Sequence, residues 1–172
     1  MGACESNRHL VHDGVMMLRV LALSLTLFTG FAQATVLQRP ITLNTGTGEL
    51  FGSLLLPKSD TPVPVVLIIS GSGPTDRDGN NPDGGRNDSL KRLAWVLAKH
   101  NIASVRYDKR GVAASLAATP DERNLSVEAY VADAEAWSQK LKTDPRFGQL
   151  ILLGHSEGAL IATLAAPSAD AA

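Results

Sequence analysis

The chain has 172 residues, 44% of them hydrophobic and 19% charged, with a formal net charge of −1. That length and balance suit about one globular domain around a single core, and the near-neutral charge gives no electrostatic case for nucleic acid or an anionic membrane surface. The single cysteine, Cys4, excludes an intrachain disulfide framework and a cysteine-rich zinc site.

Residues 1–34 read as an N-terminal extension followed by an export signal. Arg19 supplies the positive flank, Val20 to Phe28 the apolar stretch, and Ala32-Gln33-Ala34 an A-x-A cleavage site. Ser24, Thr26, Thr29 and Gly30 interrupt the apolar stretch, which is too short for a stable bilayer span. Met16 or Met17 would make a more natural start for such a signal. Met1-Gly2 with Ser6 fits a myristoylation pattern, but that modification and export make conflicting demands. The mature protein is expected to be periplasmic or secreted, with no stable membrane span after signal removal.

Residues 35–172 read as a single α/β unit. Val36 to Asn44 and Glu49 to Leu56 are expected to form a hairpin about Thr45-Gly46-Thr47-Gly48, ended by Pro57. A loop over 58–64 precedes Val65 to Ile69, a continuous apolar run that suits a strand buried on both faces of a parallel sheet. The loop from Gly71 to Arg86 is rich in Gly, Asp, Asn and Pro. Asn87 or Asp88 is expected to cap a helix with Leu90, Leu93, Ala94, Leu97 and Ala98 at helical spacing. A strand over Ile102 to Tyr107 leads to Asp108-Lys109-Arg110-Gly111 and an irregular stretch to Asn124. Ser126 is the expected cap of a second helix reaching Lys142. A strand at 149–153 and a helix from Glu157 to Ala166 complete the series. From residue 65 the order is β-α-β-α-β-α, which implies parallel strands with right-handed crossovers after an antiparallel hairpin.

The chemistry concentrates in Gly154-His155-Ser156-Glu157-Gly158, a G-x-S-x-G pentapeptide between an apolar strand and a helix. In that setting the two glycines permit a tight reversal, and Ser156 is the expected nucleophile. A serine hydroxyl needs a base oriented by an acid, and only about 16 residues follow Ser156, none of them histidine. The tetrahedral oxyanion needs two backbone N–H donors. One is assigned to Glu157 and the other to Ser72, in the glycine loop that follows the buried strand. His155 reads as a packing or loop-bonding residue, and His100 as one that favours a helix C-terminus; His9 and His12 precede the cleavage site. Asp108 precedes the serine in the chain and reads as a structural acid, paired with Arg110.

Two competing readings of the glycine loop are weaker. Gly71-Ser72-Gly73-Pro74-Thr75-Asp76 approximates a dinucleotide fingerprint, but Asp76 stands at the third glycine position and the P-loop lysine is missing. Asp76, Asp78 and Asn80 have Ca²⁺-loop spacing, but Asn81 and Asn87 occupy the positions of the required glycine and glutamate. These side chains are expected to brace the loop through Asx-type hydrogen bonds. No metal or organic cofactor is expected.

Taken together, three blocks resemble the α/β-hydrolases, and within them exported bacterial esterases and serine-aminopeptidase-like hydrolases. They are Ser70-Gly71-Ser72-Gly73-Pro74-Thr75-Asp76-Arg77-Asp78-Gly79-Asn80, Arg106-Tyr107-Asp108-Lys109-Arg110-Gly111 and Gly154 to Gly158, and the resemblance spans residues 36–172. It implies an α/β-hydrolase fold: a mostly parallel sheet with an N-terminal antiparallel hairpin and flanking helices, truncated at the C-terminus. It also implies hydrolysis of small carboxylic esters through an acyl-serine. Ser70 stands where the family more usually has histidine, a change to loop support rather than to the backbone donor. The family's acid and histidine follow in further sequence, so the chain alone is expected to be inactive. A non-catalytic hydrolase-like fragment or binding module, and a serine amidase or aminopeptidase, remain open alternatives. The strand at 149–153 would be an unprotected sheet edge, with self-association expected through it.

Overall fold

A computed structural model of the protein describes residues 36–171 apart from Pro120, Glu122 and Asn124. The extension and export signal expected over 1–34 lie outside the described residues.

The hairpin forms as expected. Strands β1 (Val36–Asn44) and β2 (Glu49–Pro57) pair antiparallel, with Asn44 opposite Glu49. The turn is closed by the Thr45 N–H and hydroxyl, which both donate to the Gly48 carbonyl, at 3.0 and 2.9 Å. Next come β3 (Val63–Ile69), α1 (Ser89–Lys99), β4 (Ala103–Tyr107), a 3₁₀ segment (Ala113–Ala118), α2 (Val127–Lys142), β5 (Phe147–Gly154) and α3 (Glu157–Ala169). The five strands form one sheet in the order β1-β2-β4-β3-β5. β2 meets β4 antiparallel, whereas β3 runs parallel to both β4 and β5.

β3 lies between its two parallel neighbours, and only Pro64 among its residues escapes full burial. Its side chains alternate between two cores, as a pleated strand requires. Val65, Leu67 and Ile69 pack with Trp137 and Leu141 of α2 and Ile161 and Ala165 of α3. Val66 and Ile68 pack on the other face against Leu90, Ala94 and Ala98 of α1. A strand covered on both sides explains why its sequence is continuously apolar rather than alternating.

The element boundaries shift for local reasons. β3 and β5 both begin two residues earlier than expected, because Val63 pairs with Phe147 and donates its N–H to the Arg146 carbonyl at 3.1 Å. A register irregularity between Val63 and Val65 accommodates Pro64, which has no N–H to offer. Ser126 caps α2 by accepting from the Ala129 N–H at 3.2 Å. Asp88 does sit at the N-cap of α1, but with φ 51° and no side-chain bond to the helix. Its carboxylate instead accepts from Asn80 Nδ2 at 2.7 Å, a bond that holds the Asp88 pKa below the ordinary aspartate value. α3 continues past Ala166 through Pro167 to Ala169. Among the described residues, no helix is long and apolar enough to cross a membrane.

Candidate active site

The site is built where β5 ends. Gly154, its last residue, pairs with Ile69 at the end of β3, and α3 begins at Glu157. Only His155 and Ser156 separate strand from helix. Ser156 takes φ 53° and ψ −118°. Such a positive φ costs a non-glycine residue on the order of 1–3 kcal/mol and persists only where the surroundings enforce it.

Here the surroundings are mostly backbone. The His155 N–H donates to the Ile69 carbonyl at 3.0 Å, and the Gly158 N–H to the His155 carbonyl at 2.9 Å. Both glycines of the pentapeptide are sterically required. A Cβ on Gly154 would run into the Gly158 carbonyl and the Ala159 nitrogen, and one on Gly158 into the carbonyls of Ile69 and Ser70. The result is an exposed Ser156 at the N-terminus of a 13-residue helix. The Glu157 N–H, which has no acceptor among the described residues, and the helix dipole there favour developing negative charge.

The glycine loop lies directly against this turn. A Cβ at Gly71 would stand 3.1 Å from His155 Nδ1 and 3.5 Å from the Ser156 Cβ. Ser72, the next residue, is exposed, and among the described residues its N–H has no acceptor. Its carbonyl accepts from the Thr75 hydroxyl at 2.9 Å. Glu157 is the first residue of α3, so its N–H has no intrahelical acceptor either. Both expected donors therefore sit on segments that flank Ser156. A cavity of about 510 Å³ opens beside Ser72 and Ser156, with Thr75, Asn81, Leu90 and His155 also in its walls.

A hydrogen-bond network fixes the rest of the loop. Asp76 Oδ1 accepts from the N–H groups of Asp78 and Asn80, at 2.9 and 2.8 Å. Asn80 Oδ1 accepts from the N–H groups of Asn87 and Asp88, each at 2.9 Å. These are the Asx-type braces that the composition implied. Asp78 also receives the buried Arg106 guanidinium, with Nη2 to Oδ1 at 3.0 Å. Ser70 contributes support through its hydroxyl, which donates to the Thr75 carbonyl at 3.0 Å. Among the described residues, no group of three or more His, Cys, Asp or Glu side chains is placed to hold a metal ion.

Asp108 is structural, but its partner differs from the one expected. Its two oxygens accept from the Arg77 backbone N–H and from Arg77 Nη2, both at 2.7 Å. The Ala114 N–H also donates to it, at 3.1 Å. Arg110 turns instead to Asp133 on α2, where its Nε donates to Oδ2 at 2.7 Å. Burial holds the Asp133 pKa above the ordinary aspartate value, and Arg110 offsets only part of that rise. Adjacent charges in sequence suggested the Asp108–Arg110 pair. The strand geometry instead sends Asp108 to the loop after β3 and Arg110 to the helix.

Sequence reasoning passed over Lys109, between these two. It is 1% exposed, and its ammonium reaches the Gly71 carbonyl at 2.7 Å and Glu157 Oε1 at 2.5 Å. It lies 4.9 Å from the centre of the Tyr130 ring. A lysine within a run of three charged residues reads as surface, and neither Gly71 nor Glu157 is near it in the chain. The available signal was its position immediately beyond a buried parallel strand, where sites form in open α/β sheets.

Comparison with known proteins bears on the family and the fold. A family model described as "Serine aminopeptidase, S33" matches residues 85–172, just over half of the chain. Esterase EstD of Thermotoga maritima is 32% identical over 125 residues, which are 72% of this chain and 28% of that protein. The chain thus spans little more than a quarter of that relative's length. Among solved structures, XC6422 of Xanthomonas campestris, described as an α/β serine hydrolase without a lid, superposes with a TM-score of 0.59 at 23% identity. That superposition covers 78% of this chain and 57% of the other. A dienelactone hydrolase from Anabaena variabilis gives 0.58 at 18% identity, over 76% and 57% respectively. At those identities the structural likeness establishes the fold. With strand order, a glycine-flanked serine turn and a sequence family model all in agreement, the chain belongs to the serine aminopeptidase S33 family of α/β-hydrolases.

Proposed function

We propose that this chain carries the nucleophile and the oxyanion-binding half of a serine hydrolase that cleaves carboxylic esters. The observation that carries the reading is the backbone of Ser156, an exposed serine held at φ 53° where strand gives way to helix. A costly backbone conformation at an exposed serine supports a role for its hydroxyl as a nucleophile. Ser156 attacks the ester carbonyl, and the N–H groups of Ser72 and Glu157 stabilise the tetrahedral oxyanion. A histidine and an acid from outside these 172 residues take the serine proton and return it to the leaving alkoxide. Hydrolysis of the acyl-serine then frees the enzyme. The similarity to an esterase over 72% of the chain supports the ester class. No step requires a metal or organic cofactor.

The test is active-site labelling with a fluorophosphonate, read by mass spectrometry. In a chain lengthened to include its base, the adduct is expected on the peptide containing Ser156 and is expected to vanish in Ser156→Ala. Labelling elsewhere, or none, would overturn the assignment. The family description favours a second reading, cleavage of aminoacyl amides. Parallel assays with short acyl esters and aminoacyl-anilides separate the two. The export signal expected over residues 1–34 supports a reaction in the periplasm or outside the cell. Sequencing the N-terminus of the exported protein checks that placement, with Thr35 expected first.

A further inference from the structure

We propose that Lys109 is a positioning residue that fixes both oxyanion-hole donors at once, an inference that rests on the nucleophile reading above. A buried ammonium must be paired to be tolerated. Lys109 is 1% exposed, and its ammonium has three definite neighbours: it donates to the Gly71 carbonyl and to Glu157 Oε1, and it lies 4.9 Å from the centre of the Tyr130 ring. Those contacts describe more than charge neutralisation.

The Gly71 carbonyl and the Ser72 N–H belong to the same peptide group. That group is planar and trans, so its C=O and N–H point in opposite directions. Holding the carbonyl on Lys109 therefore aims the Ser72 N–H the other way. The cation also draws electron density toward the carbonyl oxygen, which makes the N–H of that peptide a stronger donor. This matters because Ser72 is exposed and its N–H is otherwise unanchored.

The second contact reaches the other donor residue. Glu157 supplies its backbone N–H to the site, while its side chain folds back to Lys109 at 2.5 Å. One ammonium thus spans the glycine loop after β3 and the first turn of α3, the two segments between which the substrate oxygen must fit. A neutral side chain of similar length would fill the same space but hold neither segment. The charge on Glu157, which is 29% exposed at its side chain, could then turn to water. That freedom makes Lys109→Met a tolerable substitution for folding.

Two measurements test the proposal. The first needs no activity: ¹⁵N relaxation of the 172-residue chain, parent against Lys109→Met. The Ser72 amide is expected to fall from a rigid order parameter of about 0.85 to below about 0.6. The Ser72 and Glu157 amide resonances should both shift, while the Val105 amide in β4 keeps its order parameter. Unchanged Ser72 and Glu157 amides would overturn the proposal, and so would a uniform loss of order across β4, which would mark a merely structural lysine.

The second measurement uses the lengthened, reactive protein and short acyl esters. Lys109→Met is expected to lower kcat by on the order of 100-fold, the scale of losing one oxyanion donor, with KM changed less than about threefold. Lys109→Arg, which keeps the charge, is expected to recover part of the loss. An equal rise in KM with kcat retained would refute the positioning role. If the parent fails to label at Ser156, the esterase reading falls, whereas the relaxation result still decides whether Lys109 orders the two amides.

Discussion

The two ends of the parallel strands β3, β4 and β5 differ sharply in chemistry. At their amino ends stand Val63, Ala103 and Phe147, all buried and apolar. At their carboxyl ends, within a few residues, stand Ser70, Asp108, Lys109 and Ser156. Three of these four are buried polar or charged groups, and the fourth has strained backbone. The same strands therefore carry packing at one end and the candidate site at the other. The difference teaches where substitutions should cost stability and where they should cost function.

The largest expected effect lies in the apolar region. Leu67→Ala, at a fully buried position in the middle of β3, should lower unfolding free energy by about 3 kcal/mol, measurable by urea denaturation. Comparable stability in that variant would contradict the view that this strand is the packing centre. At the carboxyl end, Asp108→Ala removes the acceptor of three hydrogen bonds. Arg77 is partly exposed and can turn to solvent, so a loss of about 2 kcal/mol is expected rather than collapse. Labelling of Ser156 should fall further than stability does, because the loop that carries Ser72 loses its anchor.

Ser156→Gly sharpens the contrast by reversing its sign. Glycine adopts φ 53° freely, so this variant should gain about 1 kcal/mol while losing all reactivity. A loss of stability would show that Ser156 is not strained. Removing the α2 cap with Ser126→Ala, remote from the site, should cost about 1 kcal/mol with labelling unaffected.

The smallest effect at neutral pH is expected from Tyr107→Phe. Burial above all, and then the nearby Asp133, raise the Tyr107 pKa far above the usual value of about 10. The folded phenol stays neutral where the unfolded one ionises. Its contribution to stability is therefore fully present below about pH 10 and is lost as the pH rises beyond it. Among the described residues the hydroxyl has no hydrogen-bond partner, so phenylalanine should be neutral or slightly stabilising at pH 7. Denaturation curves from pH 8 to 11.5 should show a shallower alkaline decline in the variant.

Much of this division was legible in the sequence, because it follows from periodicity and glycine placement. The uninterrupted apolar run at 65–69 announced a doubly covered strand. Gly154 and Gly158 announced a turn with no room for a Cβ, and Ser126 announced a helix start. Less legible was anything that depended on pairing across the sheet. Asp108 and Arg110 look like partners in the chain, but they leave the strand end in different directions. Lys109 showed no partner at all, because Glu157 lies 48 residues away and Gly71 contributes only a carbonyl. Short-range rules see caps, turns and alternation. Long-range ion pairs appear only once strand order is fixed.

The contact of Gly158 with the carbonyls of Ile69 and Ser70 has one more consequence. Because backbone meets backbone there, the spacing between α3 and the end of β3 is set by a hard stop and not by the volume of any side chain. Core residues beneath can drift in size over many generations without changing that spacing. The geometry of the candidate site is in that sense insulated from the sequence variation that the rest of the domain can absorb, and the two glycine positions are where that insulation would fail first.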